Sequence, residues 1–590
     1  MPDKKNLFCA SNPARLIDAL WRVLTDGNHT DFADDIIFLP SRRAVRTIEK
    51  MIADHAGGAV MLPRLVALGE ASDDEDEFAG GEFESTDNSL PPVALAKGGA
   101  QSTDVVSNLE RTIMLSKMLS AQMNVGIAGA MPVAKDLIRM MDYLENENPG
   151  RDFNLDWSTL VGDQYAEHFR DKAQFLDVAC RALPLVFPGR ETVAQKRNRD
   201  ILSWIEYLRM KDEGRKMTEK SDSNHPSSII HHPSKIIVCG STASVPATAA
   251  LMAFIAGLDN GYIIFPGIPP QRGGADVVGE GGVPVTNPYY SEMHFLKRIG
   301  AAPGDVQRID VGDSKIGFFN AAFENNFKIP SSIVHHPSSV RIDCARESEE
   351  AEVAAEIATD AASSGKSVLI ITPDAAGNQR LRESFARRGV IADFSGGVSA
   401  AVAPWGRAVL NRIDIEIKSA RRAVAVKDLF GMVSDFDLEF SESDAPTIEK
   451  IKEASDVLQN NGIVLDLTDV RAVAAEAMAS VQIRPPMTDD CKISVLGTIE
   501  SRMQTADVVI LTGLNEGMFP ALGYENPWLP RRVADTIGLP PPERKVSLMA
   551  MDFMTLSCGP VVYWTRSKMS GGGETTESRF LSRVSVADVG

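Results

Sequence analysis

Few stretches of this 590-residue chain carry residue types at a spacing that chemistry needs. SSGKS at 363–367 holds the Gly-Lys-Ser end of a phosphate-binding loop. Such a loop follows a strand and opens a helix, so that amides and helix dipole face the phosphate. Here the pattern predicts the reverse, a helix ending at Gly365 and a strand beginning at Lys366, and the first glycine of the motif is missing. GGGETTES at 571–578 follows a strand but holds no lysine and reads as a flexible loop. The acidic run Asp73 to Glu77 could bind a metal, but its spacing directs no set of ligands to one point, and a solvated loop fits it better. PSSIIHHPS at 226–234 recurs as PSSIVHHPS at 330–338. These paired histidines have no cysteine or carboxylate at ligand spacing, so the copies read as duplicated linkers rather than a zinc site. The cluster Lys196, Arg197, Arg199 reads as a solvated helix face. No GxSxG, HExxH or Cys/His nucleophile arrangement occurs. Neither a catalytic residue nor a metal ligand is therefore expected. What remains is LNEGMFP, Leu514 to Pro520, directly after the apolar run DVVILTG. A tight acidic loop at the carboxyl end of a buried parallel strand is where open α/β sheets place ligand-contacting residues.

The totals narrow the field. A formal charge of −19 disfavours a free-standing basic nucleic-acid binder but leaves room for a local groove. No apolar run reaches the roughly 18 residues of a membrane span. The start, MPDKKNLFCA, lacks the pattern of a signal peptide. Six scattered cysteines without a CxxC pair read as reduced, buried thiols, and the expected location is cytoplasmic.

The elements that must position any site repeat one plan. NLFCA and IIFLP read as strands, each followed by a helix, with Ser11 or Asn12 and then Ser41 as start signals and Gly57 as a stop. Residues 1–70 thus open a first sheet, followed by an acidic loop and helical insertion over 71–212 and a linker over 213–234. KIIVCG, a helix started by Ser244 and Pro246, and GYIIFPGI complete that sheet within 235–328. After a second linker, 329–339, VRIDCA and KSVLIITPD open a second sheet over 340–414. A mixed or helical insertion spans 415–490, and 491–590 completes the second sheet with VVYWTR as its last strand. The fold class is α/β: two parallel-sheet domains with helical insertions.

This plan resembles the superfamily-one helicases of the UvrD/RecB type, whose two sheets are RecA-like. DVVILTGLNEGMFP looks like the strand and loop following that family's fifth motif, and PPERKVSLMAMDF…VVYWTRSK like a degenerate sixth. A narrower resemblance joins FLPSRRAVRTIEKM, MLPRLVALGE, CGSTASVPATAALMAFIAGL, ITPD…LRESFARRGVIADFSGG…APWGRAVL, GLNEGMFP…NPWLPRRVADTIGLPPPERKVSLMAMDF and TRSK…ESRFLSRV. Collinear across most of the chain, they are similar to AddB subunits of the alphaproteobacterial type. The family implies a subunit of a helicase–nuclease that acts on double-strand DNA breaks beside an AddA-type partner.

The departures decide the expectation. Where an active helicase carries GxxxxGK[ST], this chain has Ser11, Asn12 and Pro13. Where it needs Asp-Glu for Mg²⁺, this chain has Cys239 and Gly240. Arg566 matches the family arginine that reaches the ATP γ-phosphate, here a relic or a structural donor. ATP and Mg²⁺ then belong to the partner subunit. AddB proteins also continue into a nuclease domain with its metal and, in many members, an iron–sulphur cluster; this sequence stops short of that domain. The expected function is a non-hydrolysing helicase-like subunit that guides duplex ends and single strands. Arg42, Arg43, Thr242, Ser244, Asn515, Glu516 and Phe519 are the DNA-proximal candidates, though Asn515 to Gly517 reads equally as a tight turn and Arg42 with Arg43 as a solvated helix start. An active ATP-dependent helicase, and a scaffold without DNA contact, are the alternatives.

Overall fold

The computed structural model describes residues 6–56, 60–69, 105–151, 157, 176, 186–220, 233–269, 283–323, 339–419, 425–483, 491–523 and 526–589. Two parallel sheets organise it, and the chain is α/β. In the first, β1 (Asn6–Ala10), β2 (Ile36–Leu39) and β3 (Arg64–Ala67) come before the first insertion. Inside that insertion, β4 (Val105–Val106) and β5 (Glu191–Thr192) form a separate two-stranded ladder. β6 (Ile236–Cys239), β7 (Gly261–Phe265) and β8 (Gln307–Ile309) then return to the sheet, whose order is β3-β2-β6-β7-β1-β8. Every pairing in it is parallel. All four residues of β2 and of β6 are buried, as continuous apolar runs require when helices cover both faces. Each fully buried Ile or Leu contributes roughly 2 kcal/mol of transfer free energy. The helix Leu16–Thr25 covers one face with Leu16, Ile17, Leu20 and Leu24. Ser41 starts the helix Arg42–Ala56 by accepting the Ala44 N–H at 3.1 Å.

The second sheet is built from β9 (Ser339–Arg346), β10 (Val368–Ile371), β11 (Asp393–Phe394), β14 (Ile493–Leu496), β15 (Val508–Leu511), β16 (Val561–Ser570) and β17 (Gly573–Glu574). β12 (Val398–Ser399) and β13 (Gln482–Ile483) pair separately beside it. Its order is β11-β14-β10-β15-β16, with β9 parallel to β16 and β17 folded back antiparallel on the end of β16. DVVILTG supplies the fully buried β15 between β10 and β16. The helix Ala375–Arg388 is capped by Asp374 and stops at Gly389, whose φ of 65° is the left-handed C′ conformation that glycine tolerates.

The two insertions pack together. Leu109, Ile113, Ile127 and Met131 from the helices Asn108–Met123 and Ile127–Glu147 share one core with Val409, Ile413, Ile451, Val470 and Met478 from the second half. Asp469 accepts the Ala128 N–H at 2.7 Å, and Lys135 pairs with Glu476 at 3.0 Å.

Several expectations change. The helix Val193–Lys220 runs through the first eight residues assigned to a linker. β8 was not expected: two exposed polar residues, Gln307 and Arg308, before a single Ile309 carry no strand signal. GGGETTES forms the turn and return strand of a hairpin, with Gly571 and Gly572 at positive φ. VVYWTR opens β16, and the two-residue β17 follows it as the last strand of the sheet. Val245, not Ser244, is the N-cap before Pro246. Gly57, the run Asp73 to Glu77, both histidine pairs and most of 152–185 lie outside the described residues. Among the described residues, no helix is long and apolar enough to cross a membrane.

Candidate functional site

The carboxyl end of β1 and the second half enclose a cleft of about 1000 Å³. The turn after β1 lines it with Asn12, Pro13 and Arg15. That turn is already satisfied. Asn12 accepts the Ala14 N–H at 3.1 Å and donates to the Asp313 carbonyl at 2.7 Å. The Arg15 N–H goes back to the Asn12 carbonyl at 2.9 Å, and the Ser11 N–H to Ile309 at 2.8 Å. The Ser11 hydroxyl takes the Val311 N–H at 3.0 Å. Ser11 and Asn12 thus anchor the segment after β8, Pro13 has no N–H, and the amides of Ser11, Ala14 and Arg15 are already bonded, so the turn lacks the row of free amides that cradles a phosphate.

At the end of β6, Cys239 is wholly buried and burial pushes its thiol well up. Gly240 has φ +78°, and a Cβ there would lie 2.8 Å from the sulfur of Met503. Met503 comes from the second half, in the connection between β14 and β15. It is 6% exposed and packs in the first sheet's core with Leu16, Leu20 and Ile264. Its own φ is +59°, a left-handed conformation uncommon for a residue with a side chain. Beside it, Arg502 grips Asp552 with two bonds, Nε to Oδ1 at 2.9 Å and Nη2 to Oδ2 at 3.1 Å. Burial raises the Asp552 carboxyl against the pull of Arg502. Gln504 accepts the Thr47 hydroxyl at 3.0 Å. Four basic and five acidic residues line the cleft, so it offers a polyanion no net attraction.

Arg566 lies elsewhere. The cleft reaches Gly559 and Pro560, before β16, whereas Arg566 is five residues beyond Val561, roughly 17 Å along an extended strand. Arg566 is therefore not among the residues that line the cleft. Its Nε donates to Asn515 at 3.0 Å and its Nη2 to the Thr575 carbonyl at 3.2 Å, with Glu577 at 3.7 Å. It is a structural donor that ties the LNEGMFP loop to the β16–β17 hairpin.

The loop itself is committed to packing. Glu350, buried in the helix Glu347–Ser363, accepts the Gly513 N–H and the Thr565 hydroxyl, both at 2.7 Å. Burial raises its carboxyl. Asn515, 3% exposed, donates to the Ser567 carbonyl at 3.0 Å, and Glu516 pairs with Arg579. Phe519 is wholly buried, edge-on to Phe553 and Phe580 at 6.3 and 6.1 Å. It presents no face to a base, which corrects its place among stacking candidates, and Asn515 is the turn residue rather than an exposed contact. Thr242 is 1% exposed. The Ser244 carbonyl accepts Arg544, which also grips Glu147. Arg43 pairs with Asp393 at 2.7 Å, while Arg42 beside it is exposed. The structure therefore brings Asn12 and Pro13 to one cleft, sets Gly240 behind it against Met503, and places Asn515, Glu516, Phe519 and Arg566 together at another end of the second sheet.

The residues that close the cleft were not singled out in the sequence. Met503 is one apolar residue in the polar connection ESRMQTAD, and no local period marks it. Arg502 and Asp552 are 50 positions apart. Among the described residues, no group of three or more His, Cys, Asp or Glu is placed to hold a metal ion. No protein-family model matches the chain. Nor does any curated protein match it.

Proposed function

We propose that the chain is the non-hydrolysing, helicase-like part of an AddB-type subunit, built on two RecA-like units. It scaffolds an AddA-type helicase–nuclease, in the cytoplasm, and guides DNA at a double-strand break. The partner supplies ATP and Mg²⁺ chemistry. The observation that carries the reading is the filled edge of the first sheet. Where a motor of this resemblance would hold phosphate and Mg²⁺, Met503 packs against Gly240, and the amides of Ser11, Ala14 and Arg15 are bonded to Ile309 and Asn12. The charge-balanced cleft supports it. ATP hydrolysis tests it. The purified chain alone is expected to show no DNA-stimulated turnover, and the complex with an AddA-type partner to bind duplex ends with a salt-dependent affinity. Robust turnover by the chain alone would establish the active-helicase alternative.

A second reading, a scaffold that never touches DNA, is favoured by one set of contacts. Arg43 is engaged by Asp393, and Asn515 and Phe519 are buried. Equal DNA affinity of the partner with and without this chain would select it.

A further inference from the structure

The connection Gly497–Asp507 leaves β14, passes β10 and enters β15 in eleven residues without a helix. A parallel crossover ordinarily spends a dozen or more residues, usually helical, covering the sheet. This short one instead lies against the first half. We propose that Met503 is a built-in plug, and that this connection fixes the two halves as one body that does not open and close around the cleft.

Three observations carry this. The side chain of Met503 belongs to the first half's hydrophobic core, not to that of its own sheet. Gly240 leaves the space it fills: any side chain there would meet the Met503 sulfur at 2.8 Å. Met503 keeps a left-handed backbone, φ +59°, which surrounding contacts must hold in place. Those contacts bracket it. Arg502 ties the connection to Asp552 on the helix Arg544–Ser557, and Gln504 ties it to Thr47 on the first half. Arg544 at the start of that same helix reaches the Ser244 carbonyl at 3.1 Å, just beyond Gly240. Arg43 to Asp393 closes the seam at the other sheet edge. A cleft whose walls are joined by a buried apolar plug and polar ties on both sides has no cheap hinge.

The experiment uses the full chain with dyes at the exposed positions Arg22 and Glu383, one on each half. Single-molecule distances are read with and without Mg·ATP and a blunt duplex. One narrow distance is expected, unchanged by either addition. Met503→Ala should broaden it and lower the urea midpoint, whereas Met503→Leu should keep both. Met503→Gly should lose less midpoint than Met503→Ala, since glycine relieves the left-handed backbone while removing the same plug. Two exchanging distances in the unaltered chain would overturn the proposal, whatever the variants do. So would a Met503→Ala chain whose distance and midpoint match the parent. The plug stands apart from DNA binding and ATP hydrolysis, so failure of the functional reading leaves these measurements decisive on their own.

Discussion

Arg43 places its Nη1 2.7 Å from Oδ2 of Asp393, joining the first helix after β2 to the edge strand β11 of the other sheet. The pair is mostly buried, at 21% and 12% side-chain exposure, and spans 350 positions of sequence. Arg43→Ala is expected to cost about 1 kcal/mol of stability. The swap Arg43→Asp with Asp393→Arg should regain some of it. The salt slope of duplex binding by the partner complex should be unchanged by Arg43→Ala. A slope lower by about one would instead mark a lost phosphate contact.

Glu292 is wholly buried, and among the described residues no other side chain donates a hydrogen bond to its carboxyl. Burial raises that carboxyl well above the usual range, and the Asp552 charge pushes the same way. A raised native value means the stabilising contribution is full below the unfolded value of about 4.3 and is lost as pH climbs through the native one. Glu292→Gln removes that loss. Urea midpoints measured from pH 5 to pH 9 should show the variant gaining on the parent as pH rises. A difference that stays constant across this range would sink the assignment.

Glu350→Ala strands the Gly513 N–H inside the protein and leaves the Thr565 hydroxyl only the longer bond to the Leu511 carbonyl at 3.4 Å. The expected cost is about 2–3 kcal/mol, with Glu350→Gln losing less because its amide oxygen still accepts. Chemical unfolding of both variants checks the order. Equal losses would mean that packing, not acceptance, is the role of this side chain.

Phe519→Ala opens a cavity among Phe553 and Phe580 and should cost about 3–5 kcal/mol. Exposed stacking residues behave oppositely: their removal weakens single-strand binding and spares stability. Measuring both quantities on one variant separates the two roles.

The strands were readable because burial on both faces leaves a local mark. IIFL, IIVC, VLII and VVIL are short unbroken apolar runs, and all four are fully buried strands. β8 left no such mark, being three residues long, with two of them polar and exposed, at the sheet edge. The end of the first sheet could be located, since Asn12 and Gly240 follow recognisable strands. What fills it could not, because Met503 meets Gly240 across 263 positions and neither residue advertises the other. The burial of Asn515 and Phe519 was hidden for a related reason. A loop at the carboxyl end of a strand reads as a ligand contact unless one knows that Arg566 and Glu350 hold it from two sides.

The shared helical core sets an order of events during synthesis. Leu109, Ile113, Ile127 and Met131 emerge from the ribosome nearly three hundred residues before Val409 and Ile413, their partners. Until then these apolar faces lack the second-half partners they have in the folded chain, and uncovered apolar surface is aggregation-prone. Any product ending short of residue 404 lacks the second-half side chains of that core.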